Sequence, residues 1–108
     1  MSASAEIAQT PEPPYYAVIF TSTLTADTDG YDAMATRMVE LAREQPGFLG
    51  MESARGSDGL GITVSYWQDV ESIRAWKAVG EHRAAQATGK SRWYEHFAVR
   101  ISKVERAY

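Results

Sequence analysis

Two histidines and three tryptophans hold most of the chemical capacity of this 108-residue sequence. His82 and His96 have side chains that ordinarily titrate at about 6.5, so either could accept a phenolic proton near neutral pH. His82 lies between Glu81 and Arg83, a setting that also fits an ordinary helix-surface histidine. His96 sits mid-strand near Tyr94 and Arg100, which fits a hydrogen-bonded interface histidine as well as a pocket residue. Trp67, Trp76 and Trp93 each offer a large flat face and one N–H donor. They could wall a slot for an aromatic ligand, or simply fill the core of a small domain. Tyr66, at the end of a strand, carries the same double reading. Met38 reads as core whose flexibility also suits a pliable pocket wall. The candidate catalytic groups are therefore His82 and His96, and the candidate substrate-binding groups are Trp67, Trp76, Trp93, Tyr66 and Met38.

Other chemistries lack support. The chain has no cysteine, which excludes disulfides, thiolate catalysis and cysteine metal sites. No His-x-x-x-His, His-x-x-Glu or carboxylate cluster stands at metal-ligand spacing, so no metal site is expected. Glycine-rich nucleotide loops and the G-x-S-x-G elbow are missing, and no cofactor is expected. A net charge of −3 with scattered basic residues gives no electrostatic footprint for nucleic acid. No apolar run approaches the ~18 residues of a membrane span. The opening MSASAEIAQT lacks the basic and apolar regions of a signal peptide, and the expected location is the cytoplasm.

The elements that must position these residues follow from periodicity and punctuation. Residues 1–14 are small and polar and end in Pro11, Pro13 and Pro14, which predicts a flexible tail. Residues 15–108 form one domain. Tyr15–Leu24 is rich in β-branched and aromatic residues and predicts a strand apolar on both faces. Asp29 or Thr28 can cap the helix that follows. Its stripe is Tyr31, Met34, Ala35, Met38, Leu41 and Ala42, and Pro46-Gly47 stops it. Phe48–Arg55 and Leu60–Trp67, joined by Gly56-Ser57-Asp58-Gly59, predict an antiparallel hairpin. Asp69 caps a second helix lined by Val70, Ile73, Trp76 and Val79. Gly80 predicts a break there, with a second helical piece over Glu81–Thr88 ended by Gly89. Trp93–Arg106 is the last strand. Strict alternation puts Phe97, Val99 and Ile101 on its helix-covered side and Tyr94, His96, Ala98 and Arg100 on the other.

The order β-α-β-β-α-β is the ferredoxin-like split βαβ pattern, a four-stranded antiparallel sheet with both helices on one face. The second sheet face needs a cover. Two such sheets packed face to face supply it, so a homodimer is expected, forming a dimeric α+β barrel.

Four features together resemble the antibiotic biosynthesis monooxygenase superfamily. They are GFLG at Gly47–Gly50 after a helix, the strand ending in Tyr66-Trp67, the helix running to Ala75-Trp76, and the GKSRWYEHFAVRISKVER ending. The resemblance spans roughly residues 15–106. It implies a dimeric α+β barrel with a pocket between sheet and helices, and either a cofactor-independent oxygenase of phenols or quinols or a non-catalytic small-molecule-binding module. The haem-degrading branch uses an Asn on the first strand, a Trp on the second helix and a His about ten residues on. Trp76 matches the Trp, but Gln86 stands where that His belongs and the chain contains no asparagine. The pattern thus points to a small aromatic ligand more than to haem.

Overall fold

The computed structural model describes residues 7–86 and 93–108, with residues 81–86 described by their backbone alone. The elements are β1 (Tyr15–Leu24), α1 (Tyr31–Arg43), β2 (Phe48–Arg55), β3 (Leu60–Trp67), α2 (Val70–Gln86) and β4 (Tyr94–Val104). The sheet order is β2-β3-β1-β4, with every neighbouring pair antiparallel. This is the ferredoxin-like α+β arrangement, in which consecutive strands β2 and β3 pair as a hairpin while β1 and β4 meet across the chain.

Register assigns every strand residue to a side. Tyr16, Val18, Phe20 and Ser22 of β1 stand opposite Trp67, Ser65, Thr63 and Gly61 of β3. Trp67 stacks on Trp76 of α2, so this is the helix-facing side. Tyr15, Ala17, Ile19, Thr21 and Thr23 share the open side with Tyr66, Val64, Ile62 and Leu60. The buried core is Tyr15, Ala17, Leu41, Ala42, Trp67, Ile73 and Trp93. In α1 the expected stripe is the less exposed face, while Asp32, Arg37, Glu40 and Arg43 are exposed.

Four local details differ from strict periodicity. First, α2 runs unbroken through Gly80 as far as Gln86. A glycine weakens a helix by about 1 kcal/mol relative to alanine, which is not enough to break one packed against a neighbour. Gly80 lies where α2 passes α1, and a Cβ there would sit 3.5 Å from Met38 Cε. Thr88 and Gly89, the expected end of the second piece, lie outside the described residues. Second, neither Thr28 nor Asp29 caps α1 with its side chain. The cap is Gly30, whose φ of 83° is left-handed, and Tyr31 N–H bonds the Thr28 carbonyl. Third, the β1–β4 register shifts between Thr23 and Leu24, where His96 pairs with Thr23 but Tyr94 pairs with Leu24. Glu95 is the extra residue, a bulge that turns Tyr94 over to the helix side against Phe20. Fourth, Leu49 is a similar extra residue between Phe48 and Gly50 on β2.

Candidate functional site

The helix-facing side of the sheet has two unlike ends. At the Trp67 end everything closes. Trp67 is 0 % exposed. Its ring stacks on Trp76 at 5.9 Å and 25° and meets Phe48 edge-on at 5.4 Å. Its Nε1–H donates to Ser65 Oγ at 2.9 Å, so both its faces and its donor are committed to packing. Asp69 accepts from Ser72 N–H (2.8 Å) and Ser72 Oγ–H (2.7 Å), which seals the start of α2. Those bonds, the backbone one foremost, hold the Asp69 carboxyl below its usual range.

The middle of this side is less sealed. Val18 and Phe20 on β1, Met51 on β2, Thr63 on β3 and Met34, Met38 and Trp76 on the helices are all only half-buried. On the same side Phe97, Val99 and Ile101 of β4, paired with Ser22, Phe20 and Val18, are 55 %, 52 % and 55 % exposed, so the helices leave this edge of the sheet uncovered.

The opposite end is polar. Gly61 lies about 20 Å along β3 from Trp67, six residues at a strand rise of about 3.4 Å each. Arg55 Nη1–H donates to the carbonyls of Ser22 and Gly59, and Nη2–H donates to Ser22 Oγ (2.8 Å) and Tyr31 Oη (3.3 Å). Its guanidinium lies across Gly61, where a Cβ would stand 2.5 Å from Cζ, and 5.7 Å from the Tyr31 ring centroid. Tyr31 meets Tyr94 edge-on at 5.8 Å and Trp93 at 5.9 Å. Tyr94 also packs on Phe20 at 5.4 Å. Burial, and then the adjacent Tyr31 phenol, push the Tyr94 hydroxyl well above the usual tyrosine range, with Arg55 acting the other way. Tyr94 is therefore a protonated donor at any physiological pH.

The residues expected from the sequence are distributed as follows. Trp67, Trp76 and Met38 belong to the helix-facing side. Trp93 is buried at the start of α1, with Nε1–H donating to the Asp29 carbonyl at 2.9 Å. Tyr66 and His96 lie on the open side, paired with Ala17 and Thr23 respectively. Tyr66 meets Tyr15 edge-on at 5.8 Å. Its hydroxyl donates to Glu52, which also accepts Ala8 N–H at 2.9 Å. The bond from Tyr66, then that from Ala8, lowers the Glu52 pKa. Burial, then the Glu52 bond, raises Tyr66 to about 12. The side chain of His82 lies outside the described residues. Sequence reasoning passed over Arg55, Tyr31, Tyr94 and Ser22 as a group, because nothing in their spacing ties them together. The one available signal was Gly61, a glycine in a strand, which marks a close approach. Among the described residues, no three potential ligands cluster to hold a metal ion, and no helix is long and apolar enough to cross a membrane.

This sheet-and-helix frame is matched by the family model for antibiotic biosynthesis monooxygenase over residues 14–88. The chain belongs to the antibiotic biosynthesis monooxygenase family. The uncharacterized protein YqjZ of Bacillus subtilis is 55 % identical over 100 residues, spanning 93 % of this chain and 88 % of that protein. Among solved structures, SnoaB, a cofactor-independent oxygenase from Streptomyces nogalater, is similar with a TM-score of 0.72 at 15 % identity, covering 88 % of this chain and 97 % of SnoaB. PA3566 from Pseudomonas aeruginosa is similar with a TM-score of 0.68 at 16 % identity, covering 91 % and 99 %. At such identities the solved structures speak to the shared fold alone.

Proposed function

We propose that this family member is a cofactor-independent monooxygenase of a small aromatic substrate, a phenol or quinol. The observation that carries this reading is the partly exposed aromatic cluster of Phe20, Tyr94 and Phe97 on the helix-facing side of the sheet. Its fold likeness to SnoaB agrees with it. For a phenol with a free para position, the reaction is phenol plus dioxygen giving quinone plus water. One oxygen atom becomes the new carbonyl, the other leaves as water, and all four electrons come from the substrate. Removing the phenolic proton is the enabling step. His82, on the same helix as Trp76, is the proposed acceptor. His96 is assigned the second catalytic role only across a subunit boundary, since it belongs to the open side.

The partner proposed for that open side is a second copy of the chain. Leu60 and Ile62 are 47 % and 44 % exposed there. The buried hydroxyl of Thr23, on the same side, has no hydrogen-bond partner among the described residues. A facing sheet would cover Leu60 and Ile62.

The test is oxygen uptake by the purified protein with a panel of phenols and hydroquinones, without added flavin or metal. Isotopically labelled dioxygen should place one labelled atom in the quinone and one in water. No uptake above the protein-free rate across the panel removes the oxygenase reading.

A further inference from the structure

The polar end of the helix-facing side is not explained by packing. Arg55 is half-buried, yet all its hydrogen bonds go to neutral acceptors: two carbonyls and two hydroxyls. The ion pairs among the described residues are Arg37–Glu40 and Arg74–Glu71, both on helix surfaces, so among the described residues no carboxylate pairs with Arg55. A cation partly removed from water without a counter-charge is costly to the fold. A structural staple between β1, β2 and α1 does not require a net charge. A site for an anion does.

The two phenols beside it have the matching polarity. Tyr31 Oη accepts from Arg55, which leaves its own proton to be donated elsewhere and strengthens it as a donor. Tyr94, edge-on to Tyr31, is a second phenol that stays protonated. The Tyr94 ring packs on Phe20, and Phe20 lies 5.8 Å from Phe97. A flat ring resting on Phe20 would have an aromatic floor on one side and, at its end, the Tyr31 hydroxyl as the free O–H donor, backed by the hydrogen bond from Tyr94 and by the charge of Arg55, whose Nη hydrogens are held within the fold.

We propose that Arg55, Tyr31 and Tyr94 form the oxyanion pole of the site, which takes the oxygen of a flat phenolic or enolic ligand as that oxygen becomes anionic. The proposal rests on the aromatic-substrate reading given above and adds which way round the ligand lies: oxygen toward the β2–β3 turn, rings toward Trp76. It also separates two tasks. The proton acceptor removes the phenolic proton, and the pole stabilises the charge left behind. Ser22 and Gly61 are positioning residues, the first holding Nη2 of Arg55 and the second leaving room for its plane.

The test is binding rather than turnover. A nitrophenol whose neutral and ionised forms differ in colour is titrated into the full-length protein, alongside its O-methyl ether. A hydrogen bond to a charged group contributes about 1.5–3 kcal/mol, or roughly tenfold or more in affinity. The wild-type protein is expected to prefer the phenol over the ether by at least about tenfold and to shift the bound probe toward its ionised colour. Tyr31→Phe and Tyr94→Phe keep the rings, and each should reduce that preference several-fold. Arg55→Gln should abolish both the preference and the colour shift. Because Arg55 also ties three elements together, circular dichroism and urea unfolding of each variant accompany the titrations, and the two phenylalanine variants suffice if Arg55→Gln does not fold. Equal binding of phenol and ether by the wild type overturns the pole but leaves the aromatic slot standing. An unchanged preference in folded Tyr31→Phe and Tyr94→Phe overturns it as well, as does failure of both probes to bind. A preference that follows these three residues in a protein that consumes no oxygen supports the pole and removes the oxygenase reading alone.

Discussion

Tyr66 and Trp67 are chain neighbours with opposite surroundings. Alternation along β3 sends Trp67 to the helix-facing side, where its indole is fully enclosed, and Tyr66 to the open side, where its hydroxyl meets Glu52. The Tyr66 environment has a consequence for stability against pH. Its phenol ionises at about 12 in the folded protein, against an ordinary value of 10.0. The folded state thus favours the neutral phenol. That contribution is fully present below pH 10 and is lost as pH rises toward 12. Tyr66→Phe should therefore lose less stability than the wild type over this interval, read by urea unfolding on either side of pH 10. An equally steep decline in the variant would sink the assignment. Tyr94 contributes a loss of the same sign in both proteins, so the variant's profile should flatten without becoming level.

At the scale of elements, two glycines show how similar sequence signals diverge. Gly47 ends the turn after α1 with a φ of 84°, and a Cβ there would collide with the Ser72 side chain. Its carbonyl also accepts Gln68 N–H at 2.7 Å. Gly80 sits within α2, where a Cβ would make only ordinary contact with Met38. Gly47→Ala should cost at least about 1–2 kcal/mol through left-handed strain alone. Gly80→Ala should instead stabilise the protein, by up to about 1 kcal/mol, through helix propensity. Urea denaturation of the two variants side by side checks the contrast, and a destabilised Gly80→Ala would show that the crossing with α1 needs the glycine. The N-terminal segment is an element of another kind. In it Ala8 bonds Glu52 and Thr10 bonds the Tyr15 hydroxyl at 2.8 Å. Its link to the sheet depends on side chains of two strands, which no local pattern announces.

For the whole molecule, the question is what covers the open side. The proposed second copy makes Ile62 an interface residue. Ile62→Asp should convert a dimer into a monomer in size-exclusion chromatography with light scattering, because a carboxylate cannot be desolvated between two sheets without a partner. A wild-type protein that is itself monomeric at high concentration removes the proposal. Monomerisation would also separate the two sides of the sheet in function. A binding pole contained within one chain keeps its preference for phenol over ether in the monomer, whereas any contribution of His96 across the boundary is lost.

Much of the frame was legible from local signals. β1 and β3 are rich in β-branched residues, and β2 is set off by Pro46-Gly47 before it and Gly56 after it. The α1 stripe from Tyr31 to Ala42 reads directly as the covered face. These features depend on neighbours within a few residues, which sequence periodicity encodes. The bulge at Glu95 is different. Strict alternation groups Tyr94 with His96, and a single unpaired residue sends Tyr94 across the sheet to Phe20 and Tyr31. The same dependence on register brings Arg55 to Tyr31 and Ser22, residues far apart in the chain. Sequence by itself determined the order of elements and the ferredoxin-like topology, because those follow from periodicity and turn chemistry, while the family rests on resemblance to known members. Only the tertiary structure decided which side each aromatic and histidine occupies and which distant polar groups meet, because one bulge reverses a parity and side-chain contact across strands exists only once the register is set.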